Sequence, residues 1–381
     1  MRKHNLSRGK LLLVSVFLIA RAAHAGHAPP QQQQQQQGTR HVDLVIALDT
    51  SSSMDGLIDS ARQKLWDVVN LLGQAKPAPI LRVGLISYGN SGYDSNAGWV
   101  RKDSDLTTDL DGLYAKLFKL RTMGGEEYVA RAVSDATRTM QWDQDPKTLK
   151  IIFVAGNEPA NQDPKIAVES AVQNAREKGI FVNAIYCGSQ SAGEAVGWAN
   201  VARMGAGKFA AIDQDHVASI ATPMDEELAK LSVKLNQTYV AYGRGGSDKK
   251  ANQAQQDANA SSLGGMAAAS RAAAKSKSSV YRNDDWDLLD ARAHGKKDLS
   301  NLAADEMPAE MRAMTPKARE EFLDGKAKER AALQRQMNEV STRRDQFLAE
   351  KRKKAPKAAG ALDDAMNGMI VDEARSAGFG F

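Results

Sequence analysis

Between residues 40 and 243 the chain alternates short apolar runs with longer segments of helical periodicity. The first run, residues 41–49, is almost continuously apolar, which is typical of a strand buried on both faces. Further strands are expected at residues 81–88, 149–155, 180–187 and 208–212, with 99–101 as a weak edge strand. Because strands that alternate with helices form βαβ units, the chain predicts an α/β fold with a doubly wound, mostly parallel sheet flanked by helices.

The segments between these strands have the periodicity of helices. Their apolar residues recur at helical spacing over residues 56–72, 110–120, 127–140, 164–178, 194–203 and 223–235. In an open α/β sheet, ligands bind beyond the carboxyl ends of the strands. Three polar loops are expected at that edge, and they comprise residues 49–53, 122–127 and 155–164.

The most specific motif is Asp49-Thr50-Ser51-Ser52-Ser53, which lies between the first strand and the first helix. A hard divalent cation prefers oxygen ligands. The carboxylate at the strand end and two hydroxyls two residues apart can supply such ligands from one tight loop. The motif therefore predicts a cation site, and capping of the helix by the serines, which needs no ion, is the alternative explanation.

This order of strand, loop and helix resembles the von Willebrand factor type A domain, and the resemblance covers residues 40–243. In that family the motif implies a metal-ion-dependent adhesion site, at which a carboxylate of the partner commonly completes the ligand set. By this resemblance Asp49 would act on the ion through water, whereas Ser51 and Ser53 would bind it directly. The resemblance thus implies Mg²⁺ or Ca²⁺ as cofactor and a protein as partner.

The second and third loops depart from the family pattern. The family supplies a Thr from the second loop, where this sequence has Glu126, and an Asp from the third, where it has Ala155 or Gly156. In one interpretation Glu126 binds the ion and Glu158 replaces the lost acid, and the predicted ligands are then Asp49, Ser51, Ser53, Glu126 and Glu158. In the other interpretation the site is degenerate, and Glu126 belongs to a solvated first helical turn.

The N-terminal segment is typical of an export signal. Basic residues precede an apolar run over residues 11–20, and Ala23-His24-Ala25 forms a small-x-small cleavage pattern. The run is shorter than the roughly 20 residues that span a bilayer, so we expect no transmembrane segment after cleavage. Residues 1–25 are therefore predicted to be a signal peptide and residues 26–39 a Gln-rich linker, in a bacterial protein that is periplasmic or secreted.

Residues beyond 243 contain no strand-like run. Residues 244–278 are rich in Ala, Gln, Asn and Ser, a composition that predicts a disordered linker. Residues 279–381 are predicted to form a helical, partly disordered C-terminal arm.

One long helix is expected within this arm, over residues 315–353. It carries a narrow apolar seam of Leu333, Met337, Val340 and Phe347, which Arg344 interrupts. The seam makes the helix a short candidate coiled coil. The basic run 351–357 favours a solvated helix end, with contact to the cell envelope as the alternative.

Composition narrows the functional classes. The chain has 51 basic and 46 acidic residues, a balance that does not favour nucleic-acid binding. The only cysteine, Cys187, ends an apolar strand and is expected to be a buried structural thiol rather than a reactive one.

These features together predict a non-enzymatic, exported module that binds a protein partner of unknown identity. The alternative is a metal-free envelope scaffold or assembly protein, in which the C-terminal helical arm, around Trp286 and in the helix over residues 315–353, carries the interaction. A more remote alternative is a hydrolase that uses Asp49 and a metal-bound water, although no pattern of a general base or nucleophile accompanies the motif.

Overall fold

The computed structural model describes residues 40–213, 220–354 and 362–381. A six-stranded sheet forms the centre of the first of these ranges. Its strands are β1 His41–Asp49, β2 Ile80–Tyr88, β3 Val100–Thr107, β4 Leu149–Gly156, β5 Ile180–Cys187 and β6 Ala206–Ile212. Their order is β3-β2-β1-β4-β5-β6, and all neighbours are parallel except β2 and β3. The predicted doubly wound sheet is confirmed, and its order reverses between β1 and β4, where such folds place ligands.

Helices cover both faces of the sheet, and alternate residues of β1 show why. Leu44 and Ile46 point into one apolar cluster, whereas Val45 and Ala47 point into the other. The first six helices are α1 Asp55–Leu72, α2 Leu110–Lys119, α3 Val129–Thr139, α4 Val168–Glu177, α5 Gly193–Met204 and α6 Asp225–Asn236. Helices α1, α2 and α6 share the cluster of Leu44, and α3, α4 and α5 share that of Val45.

Two details of the strands bear on the sequence-based expectations. β3 extends to Thr107, well beyond the expected residues 99–101, because a charged edge strand lacks the apolar signature of a central one. Cys187 is buried at the end of β5, as expected of a structural thiol, and burial raises its pKa.

The expected linker over residues 244–278 is wrong for most of its length. Residues Gly246–Ser262 form helix α7 and residues Gly265–Lys275 form helix α8. α7 packs against α2, and α8 packs against α1 and α6. These helices bury polar side chains, among them Gln253 and Arg271, so their composition concealed their contact with the domain.

The remaining helices continue this outer layer. They are α9 Leu288–Ala293, α10 Pro316–Lys354 and α11 Leu362–Ser376. The α10 seam faces its own chain, since Met337 and Val340 join the main core and Arg344 donates to Asp225 of α6 at 2.8 Å. Trp286 is only 4% exposed and packs against Tyr239.

Some expectations fall on other parts of the chain. The predicted signal peptide, the Gln-rich linker and residues 355–357 of the basic run lie outside the described residues. Within the described ranges, no helix is both long enough and apolar enough to cross a membrane.

Glu373 of α11 is a buried carboxylate at the edge of the sheet. It is 4% exposed, and neither of its oxygens has a hydrogen-bond partner among the residues described, although Asn183 and Lys208 lie nearby. Burial raises the pKa of Glu373 from its ordinary value of 4.5 to about 7. The folded protein therefore favours the protonated form of Glu373.

We expect the stability of the protein to respond to pH through this residue. Because the folded-state pKa is the higher one, the stabilisation is complete below about pH 4.5 and is lost as the pH rises through about 7. Glu373→Gln should raise the free energy of unfolding by about 1–3 kcal/mol at pH 8, with a difference that shrinks towards pH 4.5. Urea unfolding at several pH values measures this, with the exposed Glu177→Gln as control. An equal gain at pH 8 and pH 4.5 would contradict the assignment.

Candidate functional site

The first loop presents its polar atoms at the carboxyl end of β1. Asp49 is 1% exposed, and its Oδ1 accepts a hydrogen bond from the Ser51 N–H at 2.8 Å. The Ser51 and Ser53 hydroxyls lie 3.3 Å apart. Thr50 anchors the loop to β2, because its N–H donates to the Tyr88 carbonyl at 2.7 Å and its hydroxyl donates there at 2.8 Å. The serine hydroxyls and the Asp49 carboxylate are thus held near one another.

Glu127, from the second loop, is the acid that lies beside Asp49. A Cβ built on Gly89 would lie 2.7 Å from Asp49 Oδ1 and 2.9 Å from Glu127 Cγ, so both side chains border the same small volume. Burial, and then the charge of Glu127, raise the pKa of Asp49 well above its usual range. Burial also raises the pKa of Glu127. Two carboxylates in a poorly solvated space disfavour each other's charge unless a cation lies between them.

The third loop closes the site from the side of β4. A Cβ on Gly156 would lie 2.6 Å from the Tyr88 hydroxyl and 2.9 Å from Asp49 Oδ2, so a side chain at this position has no room. The next residue, Asn157, reaches the first loop instead, and its Nδ2 donates to Ser53 Oγ at 3.0 Å. Close packing around Asp49 therefore accounts for the glycine found where an acid was expected.

The structure brings together only part of the predicted ligand set. Asp49, Ser51 and Ser53 form one group. Glu126 and Glu158 are exposed, and their effect on Glu127 is an electrostatic one.

The residues that the sequence did not single out are Glu127 and Asn157. Helical periodicity does not distinguish Glu126 from Glu127. The residues three positions further along, Val129 and Ala130, are both buried, so either acid could lie on the buried side. Asn157 was visible in the sequence as a polar residue after β4, but only the lack of space at Gly156 makes it the one that reaches Ser53.

The chemistry of this group suits a hard cation. Three buried oxygens have no hydrogen-bond partner within the described part of the chain, and these are Asp49 Oδ2, Glu127 Oε2 and Asn157 Oδ1. Across the described ranges, no three His, Cys, Asp or Glu side chains gather in a way that could hold a metal ion. Two carboxylates, two hydroxyls and an amide oxygen are nevertheless all of the ligand types that Mg²⁺ and Ca²⁺ accept. Any ion here would depend on the serines as well as the acids.

Solved structures are similar to part of this chain at low sequence identity. Proximal thread matrix protein 1 from the mussel byssus, with a zinc-occupied MIDAS motif, is 14% identical over 47% of this chain and 43% of its own, with a TM-score of 0.37. The pilus adhesin SpaC from Lactobacillus rhamnosus GG is 15% identical over 47% of this chain and 29% of its own, with a TM-score of 0.37. The SpRpn10 VWA domain is 13% identical over 47% of this chain and 100% of its own, with a TM-score of 0.33.

At these identities and TM-scores the likeness transfers neither fold nor function to this chain. The chain spans less than half the length of the mussel protein. Comparison with curated protein sequences gives no significant match. The family model of the von Willebrand factor type A domain matches residues 43–219, a range that contains β2 to β6, all of β1 except its first two residues, and the three loops of the site. Residues 43–219 of this chain are a von Willebrand factor type A domain.

Proposed function

We propose that this chain is a non-enzymatic module that binds a protein partner through a divalent cation, Mg²⁺ or Ca²⁺, at the carboxyl ends of β1 and β4. The observation that carries the proposal is the set of three buried, unpaired oxygens on Asp49, Glu127 and Asn157. Burial of unpaired acceptors costs free energy, and a cation would offset this cost. When bound, the ion would supply positive charge to which a carboxylate of the partner can bind.

Each residue of the site would have a separate role. Asp49 and Glu127 would provide the negative charge, and Ser51 and Ser53 would provide neutral oxygens. Asn157 would hold Ser53 in place through its Nδ2 hydrogen bond. The two carboxylates would balance the charge of a divalent ion without making the site negative. A further anionic group from a partner could therefore still bind the ion.

Met123 lies beside the site, where a bound partner would contact it. Met123, in the second loop, is 53% exposed, and its N–H donates to the Thr50 carbonyl of the first loop. Export of the chain remains part of the proposal and rests on the sequence of residues 1–25.

The metal-free scaffold has less support. Its interaction would depend on Trp286 and the long helix, yet Trp286 is 4% exposed and packs against Tyr239, and the apolar seam of the helix contributes Met337 and Val340 to the core of the chain. A partner could reach Trp286 only after local unfolding, which would add a cost to binding.

Titration calorimetry with MgCl₂ and CaCl₂ on the metal-free protein tests the proposal. The parent should bind one ion, and its unfolding free energy should rise by about 2.7 kcal/mol at an ion concentration of one hundred times Kd. Asp49→Asn should lose both effects, although it keeps an oxygen for the Ser51 N–H. Asp59→Asn, an exposed change of equal charge on α1, is the matched control. The absence of heat and of stabilisation in the parent would rule the proposal out, as would unchanged binding by Asp49→Asn.

A further inference from the structure

A cleft opens directly beside the candidate cation site, between α4 and α5. It has a volume of about 440 Å³ and begins at Pro159, two residues after Asn157. Volumes of roughly 300–1,000 Å³ are usual for clefts that hold a ligand. The indole Nε1 of Trp198 in α5 donates to the Glu158 carbonyl at 2.8 Å, which ties this wall of the cleft to the third loop. The cleft and the candidate site therefore share one loop.

The charge of the cleft is negative. Glu169 of α4 and Glu194 of α5 line it from opposite sides, and both are exposed. Neither carboxylate has an ion-pair partner among the residues that the structure describes, and Glu158 directly precedes Pro159, where the lining begins. Arg203 donates to the side chain of Asn200, which lines the cleft, at 3.2 Å rather than to a carboxylate.

The rest of the lining is partly apolar. Val168 and Met204 contribute from the two helices, and Val196 stands at the rim with 65% of its surface exposed. A ligand that fits both properties has an apolar stem and a positively charged end. Lysine and arginine side chains have this construction, since their methylene groups can lie along apolar surface while the charged group meets carboxylates.

We propose that this cleft receives a lysine or arginine side chain of the protein partner. That the side chain belongs to a protein rests on the proposed function. That it is basic rests on Glu169 and Glu194, which line the cleft. An acidic side chain would meet like charges from both helices. The partner segment would thus carry a basic residue where it passes α4 and α5.

Two short peptides serve as probes: acetyl-Gly-Lys-Gly-amide and its analogue with norleucine in place of lysine. Amide chemical shifts of the full chain, followed by NMR during titration, give the affinity and the location of binding. The lysine peptide should shift the signals of Gly193 and Gly197, which line the cleft, and should bind at least about tenfold more tightly than the norleucine peptide. Glu169→Gln with Glu194→Gln should remove this preference. Glu177→Gln with Glu226→Gln, which changes the charge equally at exposed positions elsewhere, should leave it within about twofold.

The titrations are repeated in EDTA and in MgCl₂, so that the two proposals are tested separately. Binding of the lysine peptide in EDTA supports the cleft even if the parent binds no Mg²⁺. Equal affinity for the two peptides would overturn the proposal. Shifts confined to residues away from α4 and α5 would also overturn it, as would unchanged binding by the Glu169 and Glu194 double variant.

Discussion

Replacement of Arg271 by methionine should lower the free energy of unfolding by about 3–5 kcal/mol. Arg271 lies on α8, is 1% exposed, and donates to Asp111 of α2 and Asp257 of α7, each at 2.6 Å. Methionine fills a similar space without a charge, so among the described side chains that donate to Asp111 the Tyr281 hydroxyl would remain. Removal of one member of a buried ion pair leaves the other charge desolvated, which is the source of the large effect.

Two companion variants separate this cause from a general loss of packing. Arg292→Met removes an arginine that is 37% exposed and pairs with Glu320, and it should cost no more than about 1 kcal/mol. Arg271→Met combined with Asp111→Leu removes both charges and should recover part of the loss. Urea unfolding, followed by circular dichroism, measures all three. A loss below about 1 kcal/mol for Arg271→Met would show that the pair contributes little.

Buried cationic side chains attach the C-terminal helices to the domain. Arg271 connects α8 to the domain, and Lys275, which is also fully buried, donates to the Ser232 hydroxyl of α6 at 3.1 Å. Arg330 of α10 makes a similar link, since it is buried and donates to the Thr238 carbonyl, just after α6, at 2.8 Å. We therefore expect the helices beyond residue 243 to unfold with the domain in a single transition.

Glu127→Gln should weaken Mg²⁺ binding by at least about 100-fold, because changes even outside the ligand set of a metal commonly cost 10–100-fold. Glu127 lies beside Asp49 and is half-buried, whereas Glu126 and Glu158 are exposed. Glu126→Gln and Glu158→Gln should therefore change the affinity less than about threefold, since water and salt screen their charges. Titration calorimetry on the three variants measures the difference.

The same variants show whether lost binding reflects damage to the fold. Without metal, Asp49 and Glu127 disfavour each other's charge, so Glu127→Gln should be at least as stable as the parent in EDTA. A destabilised Glu127→Gln would point to a structural role for this side chain. A large effect of Glu126→Gln, together with a small one of Glu127→Gln, would assign the second loop as the sequence first suggested.

The sequence by itself determined the sheet and the first loop. β1 is apolar on both faces, and it ends in an acid followed by hydroxyl side chains, so the strand, its burial and the cation motif can all be read locally. Hydrophobic periodicity is a local property, and it located the strands and helices of the domain to within a few residues, apart from β3 and the start of α4.

Only the tertiary structure decided which acid meets Asp49 and what becomes of residues 246–275. Glu126 and Glu127 are adjacent and chemically alike, and the path of the second loop over Gly89 selects Glu127. Helices α7 and α8 bury Gln253, Arg271 and Lys275, which in sequence are typical of solvent-exposed residues. Arg271 can be buried because Asp111, distant in sequence, pairs with it in the fold, and Gln253 donates to the Tyr281 hydroxyl. A pattern that depends on such a distant partner cannot be seen in a local stretch of sequence.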